Sequence, residues 1–147
     1  MRLFFSGVNK MIKKLIHNPK LLSMKADSAT EEDLCIAKDL IDTLEHYKAT
    51  CVGMAANMIG ENQAIIIFRY DNRNMIMFNP KIIKKEGEYE TQEGCLSYTR
   101  GPVETQRYEK IKVRYQTLNF TWHTKEFQGF TAQIIQHEID HLHGILI

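Results

Sequence analysis

The sequence predicts an α+β fold, and three observations predict it. Apolar residues recur at three- and four-residue steps from Thr30 to Lys48, at two-residue steps in several short runs between Gln63 and Phe127, and again at helical spacing from Thr131 to His143. Helices therefore bracket a block of strands, as in an α+β domain. The chain has 147 residues, enough for one core and little else, so a single domain spanning 1–147 is expected.

The first helix is expected over about 31–48. Leu34, Ala37, Ile41 and Leu44 form its apolar face, Glu31, Glu32 and Asp33 lie in its first turn, and Thr30 with Asp33 reads as a capping box. That face should dock on a sheet. Cys51 to Gly60 is small, apolar and flanked by glycine, the composition of a close-packed connection in which backbone approaches something closely. Gln63–Phe68 then reads as a strand, Asn74–Phe78 as a second, and Lys81–Ile83 as the start of a third after Asn79-Pro80. Asp71-Asn72 makes the turn between the first two. Ile111, Val113 and Tyr115 alternate with Lys112, Arg114 and Gln116, and after Leu118-Asn119 the run Phe120–Phe127 alternates again, as an antiparallel hairpin with one buried face does. The last helix is expected from Thr131, a candidate cap, to His143, with Gly144 as its stop.

Composition narrows the function classes. Hydrophobic residues at 44% and charged residues at 25% are ordinary for a globular protein, and a net charge of +1 provides no field that would draw the chain to nucleic acid or an anionic membrane. No apolar run approaches the ~18 residues of a membrane span, and Met1 to Phe5 turns quickly polar, unlike a secretory signal. Cys35, Cys51 and Cys95 are odd in number and widely spaced, which does not suit a disulfide framework but does suit a reducing cytosol.

The most informative stretch is Gln136-His137-Glu138-Ile139-Asp140-His141. His137 and His141, four apart on a helix, present both imidazoles on one face, where they can bind the same ion. Glu138 can orient or deprotonate a water activated by that ion, and Asp140 is either a partner of a ligand or a surface charge. Two histidines do not hold a metal tightly. Zinc proteases with this motif take their third ligand well downstream, but only six residues follow His141, and His143 lies roughly opposite on the helix. The third ligand is therefore sought upstream, in Glu93-Gly94-Cys95-Leu96-Ser97, where a thiolate would complete a soft S,N,N site with a fourth position left for water. Gly94 is expected to relieve crowding where the backbone presents the sulfur, and the Leu96 amide could face a bound oxyanion. Cys35, on the first helix, and Cys51, among small packed residues, are read as ordinary packed cysteines.

Three segments stand in one order: Cys51-Val52-Gly53-Met54-Ala55-Ala56-Asn57-Met58-Ile59-Gly60, Glu93-Gly94-Cys95-Leu96-Ser97, and His137-Glu138-Ile139-Asp140-His141. Together they resemble the signature motifs of the peptide deformylases, over roughly residues 20 to 145, and the second and third match completely. The resemblance implies a compact deformylase-like fold, with mixed or antiparallel sheets around a C-terminal metal-binding helix. It implies one divalent ion, ferrous iron that zinc, nickel or cobalt can replace, held by Cys95, His137 and His141. It implies Glu138 as general acid/base, Leu96 as oxyanion donor through its amide, and Gly53, Met58, Glu93 and Gly94 as substrate-binding positions, with a peptide held along the strand edge at Gly53. The implied partner is the formylated N-terminus of a nascent polypeptide, met at the ribosome in the bacterial cytosol, with neither DNA nor membrane involved.

The first segment departs from the family pattern Gly-x-Gly-x-Ala-Ala-x-Gln, having Cys51 at the first glycine and Met58 at the glutamine. That glutamine's amide donates to the formyl oxygen, and a thioether cannot. Asn57 is the one neighbouring amide that could substitute. After Ser97 the family usually has proline, whereas Tyr98-Thr99-Arg100 follow here, and Arg100 or Arg107 could brace Glu93 or Cys95. Two readings follow: a metal-dependent hydrolase that releases formate from formyl-methionyl peptides, with activity lowered by Met58, or a deformylase-like paralogue that binds metal and blocked N-termini with little turnover. An endopeptidase is disfavoured by the missing downstream ligand.

Overall fold

Residues 65–68 are apolar without interruption because both sides of their strand are covered. Ile65 and Ile67 pack with Ile36, Ala37, Leu40 and Leu44 of the first long helix, whereas Ile66 and Phe68 pack with Ile135, Ile139 and Leu142 of the last. Period-two alternation thus sends successive side chains into two cores on opposite faces of one sheet.

The computed structural model describes residues 10–95, 97 and 101–147. Its elements are α1 (Pro19–Leu22), α2 (Leu34–His46), β1 (Gly53–Ala55), β2 (Ile65–Tyr70), β3 (Arg73–Glu93), β4 (Val103–Gln116), β5 (Trp122–Gln128) and α3 (Gly129–Leu142). The strands form one antiparallel sheet in the order β1-β2-β3-β4-β5, with β1 at its edge. No helix among the described residues is long and apolar enough to cross a membrane.

The capping box forms as expected, Thr30 N donating to Asp33 Oδ2 (2.8 Å) and Thr30 Oγ1 accepting from Glu32 N (3.3 Å). It caps a 3-10 turn, Glu31–Asp33, that leads into α2, and α2 stops at His46 rather than at 48. Asp71 and Asn72 both take positive φ, the geometry of a two-residue hairpin turn. The expected third strand is instead a continuation of the second. β3 passes through Asn79-Pro80 at a register shift between Phe78 and Lys81, where Asn79 adopts φ 51° and Pro80, lacking an N–H, interrupts no ladder bond. Asn79 also ties this bulge down, its side chain bonding Ala29 N, Ala29 O and Gln116 Oε1.

Residues 84–92, charged and polar, carry no strand periodicity in the sequence, yet they extend β3 because β4 pairs with them along their length, Glu86 facing Lys110 and Gln92 facing Glu104. Cross-strand pairing rather than burial holds this ribbon. Thr131 is not the cap of α3. β5 runs directly into the helix, Gly129 turning the chain at φ 64° after Gln128, so the helix begins two residues earlier. Gly144 does mark its end, at φ 75°.

Candidate metal centre

α3 places its polar face against the end of β3. Gln136, His137, Glu138 and His141 are all buried, and His143 is exposed. His137 Nε2 and His141 Nε2 lie 3.2 Å apart, and Cys95 Sγ lies 3.3 Å from His141 Nε2. Donors bound tetrahedrally at ~2.0–2.3 Å are separated from one another by roughly 3.3–3.6 Å, so the three side chains stand at nearly the spacing one ion would impose. The three ligand atoms all lie within 4.8 Å of one another, and Cys51 is not part of that group. This donor set fits a divalent ion.

The network behind His137 sets its tautomer. His137 Nδ1 is 2.8 Å from Glu93 Oε1, so the ring donates from Nδ1 to a carboxylate and turns Nε2 toward the other donors. Glu93 also accepts from Arg107 Nη2 at Oε1 (2.7 Å), and from Arg107 Nε (3.0 Å) and Gln133 Nε2 (2.9 Å) at Oε2. Arg107 Nη1 donates to Asp140 Oδ2 (2.7 Å), linking β4 to α3. Burial alone would raise the Glu93 pKa, but His137, Arg107 and Gln133 outweigh it and hold the carboxyl near about 2. Burial likewise opposes charge on His137, yet bonds to Cys95 and Glu93 push its pKa up to about 10 in the absence of an ion. His141 is pushed down to about 3 by burial and by the positive His137 and Arg107, so its ring is a free base. Arg107→Ala would leave a buried carboxylate short of two donors, and a loss of about 3 kcal/mol in unfolding free energy is expected in a urea titration. A change below ~1 kcal/mol would mean that His137 and Gln133 satisfy Glu93 alone.

A cavity of about 270 Å³ opens beside these three side chains, lined by residues 50–53, Met58, residues 92–95 and the face of α3 that carries Phe130, Gln133, Ile134, His137 and Glu138. Glu138 is 4% exposed, its Oε1 has no hydrogen-bond partner, and burial pushes its pKa up to about 7 despite the nearby His137 charge. Gly53 is required here by close approach: a Cβ would stand 2.9 Å from both Glu138 Oε2 and Ile134 Cγ2. Gly94 lines the cavity too, but a Cβ there would meet nothing within 4 Å, so no crowding calls for its glycine.

Met58 is 1% exposed, and its Sδ accepts from Ala55 N (3.4 Å). Asn57 does not stand in for the missing amide. Its Nδ2 points away from the cavity and donates to Leu22 O (3.3 Å) and His141 O (3.0 Å), joining α1 to the end of α3. Arg107 is the arginine that braces Glu93; Leu96 and Arg100 lie outside the described residues. Of the two cysteines read as packed, Cys35 is exposed, and Cys51 lines the cavity, where its Sγ donates to Gly53 O at 2.9 Å. Burial, then the Glu138 charge, pushes this thiol up to about 12, so it stays protonated. Cys51 and Gln133 are two of the cavity residues that sequence reasoning missed. For Cys51 the signal was present, as a departure from the family glycine.

A soft three-donor set that would hold a divalent ion, beside a buried carboxylate that can carry a proton near neutral pH, is the chemistry of the metal-dependent hydrolases. The polypeptide deformylase family model matches residues 12–147, and the chain belongs to that family. A peptide deformylase of Clostridium beijerinckii is 48% identical over 137 residues, covering 93% of this chain and 100% of that protein. The crystal structure of a class I type b peptide deformylase from Acinetobacter baumannii with Met-Ala-Ser bound superposes with a TM-score of 0.83 at 28% identity, covering 94% of this chain and 97% of that one. The crystal structure of the Thermotoga maritima peptide deformylase gives 0.83 at 31% identity, covering 94% and 95%.

Proposed function

We propose that this chain, acting as one domain over residues 1–147, hydrolyses the N-terminal formyl amide of formyl-methionyl peptides and releases formate. The observation that carries this reading is the meeting of Cys95 Sγ, His137 Nε2 and His141 Nε2 beside the unpartnered carboxylate of Glu138. Ferrous iron is the ion proposed, with zinc, nickel or cobalt able to replace it, and when bound it supplies a Lewis acid that polarises the formyl oxygen and acidifies water.

The chain's own residues do the rest. Glu138 takes a proton from the attacking water and returns it to the departing amine nitrogen, so formyl amide and water become formate and a free N-terminus. Its raised pKa suits a group that must both accept and give a proton near neutral pH. Glu93 acts through His137, holding the ring by its Nδ1, since both Glu93 oxygens are already engaged. The peptide lies along β1 at Gly53, with Gly94 and Met58 beside it, and the Leu96 amide is the proposed oxyanion donor. The Acinetobacter baumannii relative, which binds Met-Ala-Ser, supports a peptide in this cavity. The substrate in the cell is the N-terminus of a nascent polypeptide, met at the ribosome in the bacterial cytosol.

Formate release from formyl-Met-Ala-Ser by anaerobically iron-loaded protein tests the reading. Turnover that stops on chelation and returns with iron is expected. Stoichiometric metal without formate would sink it.

A further inference from the structure

The register of β1 shows which of its backbone groups are available to a ligand. Arg69 N donates to Val52 O (2.9 Å), and Gly53 lies opposite Phe68 in the antiparallel pair with β2. Bonded and non-bonded positions alternate along such a pair, so the Gly53 N–H and C=O point away from β2, toward the free edge. Ala55 N, two residues on, also points that way and is taken by Met58 Sδ. β1 is the edge strand, and the cavity lies against it. An extended peptide adding to this edge would donate an N–H to Gly53 O.

One of the two lone pairs of that acceptor is already engaged. Cys51 Sγ–H donates to Gly53 O at 2.9 Å, from a position where the family pattern has a glycine with nothing to donate. Glu138 Oε1, buried in the same cavity without a partner, independently marks it as a place where a ligand completes the bonding.

We propose that Cys51 is a positioning residue that competes with substrate for the Gly53 carbonyl, so that peptide binding exchanges an S–H···O bond for an N–H···O bond. The proposal rests on the deformylase reading and on the peptide lying along β1. Removing the thiol frees the acceptor and tightens binding. Replacing it with a hydroxyl, a stronger donor, holds the carbonyl harder and weakens binding. A residue that only fills space would not invert its effect between alanine and serine.

The test compares Cys51→Ala, Cys51→Ser and wild type, with Cys35→Ala, at an exposed position of α2, as a control expected to match wild type. KM and kcat are measured with formyl-Met-Ala-Ser, Kd for the product peptide Met-Ala-Ser by calorimetry, and Tm to establish that each variant folds. KM and Kd are expected to fall by about threefold to tenfold in Cys51→Ala, the range of one net hydrogen bond, and to rise in Cys51→Ser. Shifts in the same direction for both variants, or in neither, overturn the proposal. Absence of formate from wild type would refute the deformylase reading, whereas the order of the three Kd values still decides what the thiol does.

Discussion

Glu138→Gln is expected to lower kcat for formyl-Met-Ala-Ser by about 10²–10⁴-fold, the range removed with a general acid/base. The substitution keeps the side chain's shape and removes its capacity to carry a proton, so metal content should remain stoichiometric, as read from the absorption spectrum of the cobalt-loaded protein. A variant that keeps more than a tenth of wild-type turnover would place the proton carrier elsewhere. Stability provides a second readout with a defined sign. In the metal-free protein the Glu138 pKa stands at about 7, above its ordinary carboxylate value, because burial disfavours the charge. Between the two values the folded chain holds a proton that the unfolded chain has released, so wild-type stability falls as pH rises from about 4.5 to 7. Glutamine lacks that fall, and the stability gap in favour of Glu138→Gln should widen over that window. A carboxylate kept where burial opposes its charge is the kind of exchange of stability for activity expected at a catalytic position.

Met58→Gln is expected to act in the opposite direction, raising kcat by about 10²-fold, in line with the ~10²–10³ attributed to a single oxyanion donor. Met58 Sδ accepts from Ala55 N, and a glutamine of similar length can keep that bond through its Oε1 while its Nε2 faces the cavity. Because the donor serves charge that develops only as the carbonyl is attacked, the gain should fall on kcat with KM little changed. An unchanged kcat in a folded Met58→Gln protein would mean that the site stabilises the oxyanion without this position. Asn57 is not that substitute, since its amide is spent on Leu22 O and His141 O.

Much of the site is legible in the chain because it depends on short-range geometry. The four-residue step between His137 and His141 sets both imidazoles on one face of any α-helix, and Glu138 follows from the same register. Cys95 is legible as the candidate third donor by the match of its segment to a known motif. The bulge at Asn79-Pro80 and the polar ribbon at 84–92 were not legible. A proline and a charged run carry loop statistics, and only pairing with β4 decides that they extend β3. The expected crowding at Gly94 was also not found, whereas the close approach anticipated around residues 51–60 occurs at Gly53.

What the sequence by itself determined is therefore local: the helix with its histidine pair, the Thr30 capping box, the Asp71-Asn72 turn, the hairpin pairing of β4 with β5, and the motifs that identify the family; the buried face expected along Phe120–Phe127 did not form, since β5 begins at Trp122 and buries Phe127 alone. The tertiary structure decided everything that required distant segments to meet. It made β2 a two-faced strand between α2 and α3, turned both oxygens of Glu93 toward His137, Arg107 and Gln133, sent Asn57 away from the cavity, and laid the Cys51 thiol on the outward carbonyl of Gly53. The reason is physical. Periodicity fixes which face of its own element a side chain occupies, but the partner across a cavity depends on how the sheet and helices pack, and residues far apart in the chain carry no pattern that records it.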